Sequence, residues 1–262
     1  VSHPIDLQRR GAVAWLALAR PEVHNAFDAG LIGALNTMLD ALAADASVRA
    51  LVLTGQGSTF SAGADLHWMR GMAKASEAEN LADSLELARL MRTLNFFPKP
   101  TIARVNGSAY GGGVGLVACC DIAIAVEGAK FSLSEAKLGL VPAVISPYVV
   151  AAIGARQARK LFQTAEVFEA PEAARIGLLH RCVPAGELDD AVDRELHWLG
   201  KGGPIAQAEA KTLALRMGGM AREDAERIDA ENAKLIARLR VSPEGQEGLG
   251  AFLDKRAPRW VG

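Results

Sequence analysis

Cysteine is scarce in this 262-residue sequence. There are three, an odd number, and two of them, Cys119 and Cys120, are adjacent. That is neither a disulfide framework nor a zinc-ligand spacing. It predicts three buried small thiols in a reducing compartment. Excess charge is lacking too: a net charge of −1 gives no general attraction to nucleic acid or to an anionic membrane. No apolar run reaches the ~18–20 residues that a membrane-crossing helix needs. The five histidines (His3, His24, His67, His180 and His197) are scattered without metal-ligand spacing. The opening Val1-Ser2-His3-Pro4-Ile5-Asp6 does not read as a secretory signal. The expectation is a cytoplasmic protein with no metal, nucleic acid or membrane partner.

What is present suffices for a full core. Half the residues are hydrophobic and 23% are charged, which suits one large domain or two small ones. Residues 5–9 and 12–18 read as paired strands around Arg10-Gly11, and residues 20–25 as a loop. Asp28 is placed to cap a helix over 29–44, with Leu31, Leu35, Met38, Leu39 and Leu42 on one stripe. A buried-type strand follows at 49–54. Residues 67–79 show no pattern and read as a mobile surface segment, ahead of a helix over 80–95. Strands at 100–105 and 121–126 flank a helix over 112–119, and residues 131–141 read as a turn-rich element. Beyond about 146 the pattern is helical apart from 178–183. Alternating strands and helices followed by helices alone argue for an α/β core with a helical C-terminal part. Strand-turn-helix units near 49–65 and 100–118 hint at internal repetition.

The densest chemical signal lies at residues 103–115. An extended run, Thr101 to Val105, enters a turn at Asn106-Gly107, and three glycines, Gly111 to Gly113, then open an apolar helix. Glycine lets backbone N–H groups approach a ligand with no Cβ in the way, and a helix start adds unpaired donors and the positive end of its dipole. A second small-residue loop, Ala62-Gly63-Ala64, follows the strand at 49–54. If neighbouring strands deliver both loops, one N–H from each converges on a single oxygen as an oxyanion hole. Glu135 follows twenty residues after Gly115, so the pattern suggests enolate or oxyanion chemistry with one carboxylate. Gly113-Val-Gly115-Leu-Val-Ala118 also fits a dinucleotide fingerprint. Its acidic partner does not fit, because Glu135 lies in a turn-rich element and Glu127 comes too soon. Asp45, Asp65 and Asp121 lie near key loops and are expected to cap helices or turns.

Taken together the segments resemble the enoyl-CoA hydratase/isomerase (crotonase) family. The pieces that carry the resemblance are Arg20-Pro21-x-x-x-Asn25-Ala26-Phe27, Phe60-Ser-Ala-Gly-Ala-Asp65-Leu66, Val105-Asn-Gly-x-Ala-x-Gly-Gly-Gly113, Cys120-Asp121-Ile122, Phe131-x-x-x-Glu135-x-x-x-Gly139-Leu-x-Pro142 and Phe252-Leu-x-Lys-Arg256. The resemblance implies a crotonase-like α/β fold: a repeated ββα spiral core over 1–195 and a helical C-terminal trimerisation region over 196–262. It implies an acyl-CoA substrate with no further cofactor, bound by a homotrimer or homohexamer. By motif position the oxyanion donors are the N–H groups of Ala64 and Gly112, and Glu135 is the acid–base group. Glu22, His24 and Ala26 are implied along the CoA path, with Ala62, Asp65 and Leu66. Phe252 and Lys255 are implied near a neighbour's CoA.

One departure stands out. Hydratases of this family usually carry a second glutamate, and Gly115 occupies its position. Either the missing side chain makes room in the acyl pocket, or the helix packs closely against a neighbour. A single glutamate suits hydration by an enoyl-CoA lyase or Δ3,Δ2 double-bond isomerisation, and an inactive CoA-ester-binding scaffold is a further alternative. The surroundings of Glu135 resemble the bacterial branch of 3-methylglutaconyl-CoA or γ-carboxygeranoyl-CoA hydratases, whose substrates carry a β-branch and a second carboxylate. His67, Arg70, Lys74 and Lys137 are candidate partners for that carboxylate, and Tyr148 a candidate pocket hydroxyl. Some relatives bind RNA through a lysine-rich helix. Here residues 77–92 set Glu77, Glu79, Asp83 and Glu86 against Arg89 and Arg92, so no basic face forms.

Overall fold

A computed structural model of the chain describes residues 3–262. It opens with β1 (Ile5–Arg10) and β2 (Val13–Leu18), an antiparallel pair. Helix α1 (Ala29–Ala44) starts where Asp28 accepts the Leu31 N–H at 2.7 Å, which satisfies one of the unpaired donors of a helix start. A ββα unit then repeats three times. The first is β3 (Ala50–Gly55), β4 (Thr59–Ser61), α2 (Leu66–Lys74) and α3 (Glu77–Asn95). The second is β5 (Thr101–Val105), β6 (Ser108–Tyr110) and α4 (Gly112–Cys119). The third is β7 (Ile122–Val126), β8 (Lys130–Ser132), a 3-10 turn at Ser134–Leu138 and α5 (Ser146–Thr164). After β9 (Phe168–Glu169), α6 (Ala170–Arg175) and β10 (Arg181–Val183) come α7 (Leu188–Leu199), α8 (Pro204–Met217), α9 (Arg222–Val241) and α10 (Pro243–Leu253).

The first strand of each unit joins one sheet and the second strand another. The larger sheet has the order β1-β2-β3-β5-β7-β10, parallel from β2 onward, and the smaller the order β4-β6-β8-β9. Parallel strands are normally buried on both faces, and the side chains of the large sheet divide accordingly. Leu51, Leu53, Ala103, Val105, Ala123 and Ala125 enter the main core. Val52, Ile102 and Ile124, on the alternate positions, pack with Leu188, Ala191 and Val192 of α7.

Three expectations change. Within residues 67–79, expected to be irregular, the chain through Lys74 belongs to α2, because Asp65 caps its first turn by accepting the N–H groups of His67 and Trp68. Only Met69 of that helix is buried, so no apolar stripe marks it in the sequence. Helix α3 begins at Glu77 rather than residue 80, set by a reciprocal Ser76–Glu79 capping box. Cys119 and Cys120 are buried, but Cys182 on β10 is only partly so. Residues 195 and 196, between which the two expected regions divide, both belong to α7. Among the described residues no helix is long and apolar enough to cross a membrane.

Candidate active site

Strands β4 and β6 are parallel neighbours, with Ser61 opposite Ala109. The two small-residue loops therefore leave the small sheet side by side. They interlock closely: a Cβ on Gly113 would lie 2.9 Å from Cβ of Ser61, and one on Gly63 3.0 Å from the Tyr110 carbonyl oxygen. Gly63 (φ +84°) and Gly111 (φ +49°) take left-handed backbone that other residues rarely adopt.

Two backbone donors face outward from these loops. Phe27 bridges Ala64 in parallel fashion, donating to the Gly63 carbonyl at 2.7 Å and accepting from the Asp65 N–H at 2.8 Å. Those bonds use the groups on either side of Ala64, so the Ala64 N–H points away from Phe27. Gly112 is the first residue of α4, and its N–H has no intrahelical acceptor. Ala64, Gly112 and Glu135 line one cavity of about 260 Å³.

Glu135 sits on the 3-10 turn beyond β8, with Oε1 3.3 Å from where a Gly111 Cβ would be. Its Oε2 is buried without a hydrogen-bond partner among the described residues. Burial penalises the ionised form and pushes its pKa up from an ordinary 4.5 to about 7, against a small opposing effect of its own N–H. A carboxyl poised near neutrality, beside unpaired N–H donors, can take and return a proton while those donors hold developing negative charge.

The loop at 20–28 holds this corner from below. Asn25 is fully buried, and its Nδ2 donates to the carbonyls of Gln56 at 2.9 Å and Thr59 at 2.8 Å. The His24 carbonyl accepts the Ala62 N–H at 2.9 Å, and Arg20 Nη1 donates to the Ala26 carbonyl at 2.6 Å. Arg20 Nη2 also reaches Asp65 Oδ2 at 3.2 Å and Asp28 Oδ2 at 2.9 Å. Of the residues implied along the CoA path, Ala62 and Phe252 line the cavity of their own chain. Ala26 and Asp65 are buried supports, whereas Glu22, His24, Leu66 and Lys255 are exposed outside it. Asp121 accepts from the N–H and hydroxyl of Thr101 and from Lys211, as a structural anchor.

The missing second glutamate has a packing cause. A Cβ on Gly115 would lie 2.3 Å from Ile145 Cγ2 and 3.2 Å from Met91 Cε. Ile145 occupies the space that a side chain at 115 would need, so Gly115 itself opens no room in the cavity. Tyr148 is not a pocket hydroxyl. It is buried in a different cleft, with Cys119 and Asp121. His67, Arg70 and Lys74 are exposed on α2 and do not line the cavity, whereas Lys137 does. The sequence reading missed Arg240, which reaches the cavity from α9. The available signal was a cation one turn beyond the buried pair Ile236 and Ala237. Among the described residues no cluster of three His, Cys, Asp or Glu could hold a metal.

Two sheets built from repeated ββα units, with backbone donors and one carboxyl at the loop ends, define a protein of the crotonase fold. The chain belongs to the enoyl-CoA hydratase/isomerase family, whose model matches residues 8–262. It is 33% identical over 262 residues to 2,3-dehydroadipyl-CoA hydratase of Escherichia coli, covering 98% of each chain. It is 32% identical to crotonyl-CoA hydratase of Syntrophomonas wolfei, over 98% of this chain and 97% of that one. An enoyl-CoA hydratase structure from Shewanella pealeana superposes with a TM-score of 0.81 at 45% identity, over 98% of this chain and 96% of that one.

Proposed function

We propose that the chain is a hydratase-type lyase that adds water across the double bond of an enoyl-CoA with a single glutamate. The observation that carries this is Glu135 Oε2, without a partner among the described residues, in the same cavity as the Ala64 and Gly112 N–H groups. The thioester oxygen accepts both N–H groups. Ionised Glu135 takes a proton from water as the water oxygen bonds to C3, and the C2–C3 π electrons move onto the thioester as an enolate. Protonated Glu135 then delivers that proton to C2, so one water is added and the carboxylate is restored.

The acyl group we favour is β-branched with a second carboxylate, 3-methylglutaconyl-CoA being the type. The relative named for 2,3-dehydroadipyl-CoA supports an enoyl diacid, as that acyl group also ends in a carboxylate. The CoA moiety would run past Ala62 and Phe252, and the working form is a homotrimer or homohexamer.

Double-bond migration is the second reading. Ile145 beside Gly115 favours it, because α4 supplies no second carboxylate and migration needs only one shuttling base. The test is ultraviolet absorbance of the conjugated thioester. Loss of conjugation from 3-methylglutaconyl-CoA, with crotonyl-CoA for comparison, is the expected result. Gain of conjugation from a 3-enoyl-CoA, with neither other ester hydrated, would make the chain an isomerase.

A further inference from the structure

Three charged side chains line the cavity, and they differ in kind. Glu135 is the acid–base group, and Lys137 stands exposed on the same turn. Arg240, from the last turn of α9, has a side chain only 13% exposed. It adjoins an apolar wall to which Met72, Leu87, Ile236 and Leu249 contribute. A guanidinium so placed is costly to desolvate, so it needs partners.

Its hydrogen-bond partners all meet one nitrogen, and Cζ lies 5.8 Å from the centroid of the Trp68 ring. Nη1 donates to Asp83 Oδ2 at 3.0 Å, to Asn80 Oδ1 at 3.2 Å and to Ser84 Oγ at 3.4 Å. The other oxygen of Asp83 accepts Trp68 Nε1 at 3.0 Å, so this carboxylate is engaged on both sides. No hydrogen bond among the described residues reaches Nε or Nη2, and neither atom is sealed from solvent. Those two N–H groups form the side-on fork of arginine, which matches the two oxygens of a carboxylate. A purely structural arginine tying α9 to α3 would need only the Nη1 set.

We propose that Arg240 is the carboxylate receptor of the acyl cavity, selecting CoA esters whose acyl chain ends in a second carboxylate. The inference rests on reading the cavity as an acyl-CoA site, and not on whether the reaction there is hydration or isomerisation. Asp83 is then a positioning residue that aims the fork, with Trp68 fixing Asp83.

Binding of two saturated five-carbon esters, glutaryl-CoA and pentanoyl-CoA, tests it by calorimetry without turnover. The wild-type chain is expected to bind glutaryl-CoA at least tenfold more tightly. In Arg240→Gln, paired with Asp83→Asn so that no carboxylate is left unmatched, the ratio between the two esters should fall to near one. Equal or weaker binding of glutaryl-CoA by the wild type overturns the proposal whatever the variants do. So does loss of the preference in Lys137→Met with its retention in Arg240→Gln. If neither ester binds, the acyl-CoA reading of the cavity fails with it, a result distinct from binding without preference.

Discussion

At the scale of single residues, the proposed chemistry rests on Glu135. Replacing it by Gln keeps size and polarity but removes the proton shuttle. Turnover should fall by ~10²–10⁴-fold, while calorimetry with a saturated CoA ester should show binding retained. Normal turnover in Glu135→Gln would remove Glu135 from the mechanism. In the proposed mechanism ionised Glu135 starts the reaction in either direction, so kcat/KM should fall as pH drops through about 7, and this limb should be absent from any residual activity of the Gln variant. Stability moves the other way. A carboxyl whose pKa rises from 4.5 to about 7 on folding favours the folded state only while protonated. Its contribution is present below 4.5 and lost as pH rises through 7, a difference of about 3 kcal/mol. Glu135→Gln should therefore be more stable than the parent at pH 8 and no more stable at pH 4, as urea titrations at the two pH values would show. Asn25 illustrates what the sequence could not say. Its place in a motif is visible, but its work, joining two carbonyls across the chain from full burial, needs partners more than thirty residues away.

Among the elements, those with local causes were legible. Asp28 announced α1, the β-branched and aliphatic runs announced β3, β5 and β7, and the glycine run announced α4. Elements without a local cause were not: α2 buries one residue, and β9 has two, held by pairing with β8. The third ββα unit went unseen because a 3-10 turn and a loop separate its short strand from its helix. The same distinction applies at Gly115, which sequence reading left open between acyl-pocket space and close packing until Ile145 settled it. Gly115→Ala gains ~1 kcal/mol of helix propensity but drives a Cβ into Ile145, and overpacking costs ~1–3 kcal/mol. Net destabilisation of up to about 2 kcal/mol is expected in thermal or urea unfolding. Ile145→Ala removes the clashing Cγ2, so the double variant should be more stable than the sum of the two single changes predicts. Strict additivity in that cycle would show that the two residues do not contact each other.

Across the whole molecule, one helix is held by few contacts of its own chain. None of the residues of α8 is buried, and Ile205 and Met217 are 79% and 70% exposed. Lys211 ties the helix to the core through Asp121 at 3.0 Å and Leu215 is half-buried, but Ile205, Leu213 and Met217 stay uncovered within the chain. Exposed apolar side chains gathered on one element mark an interaction surface more often than an idle one. The trimer or hexamer proposed above would supply the cover if further copies of the same chain pack over α8 in closed symmetry. Sedimentation equilibrium should then give three or six times the 27.6 kDa of the chain. Ile205→Asp with Met217→Lys places opposite charges in that surface and should shift the mass towards one chain. A parent protein that sediments as a single chain at micromolar concentration would leave α8 uncovered and sink the trimer. Hydration of enoyl-CoA by that single chain would show that the cavity between the small sheet and α9 is complete without a neighbour.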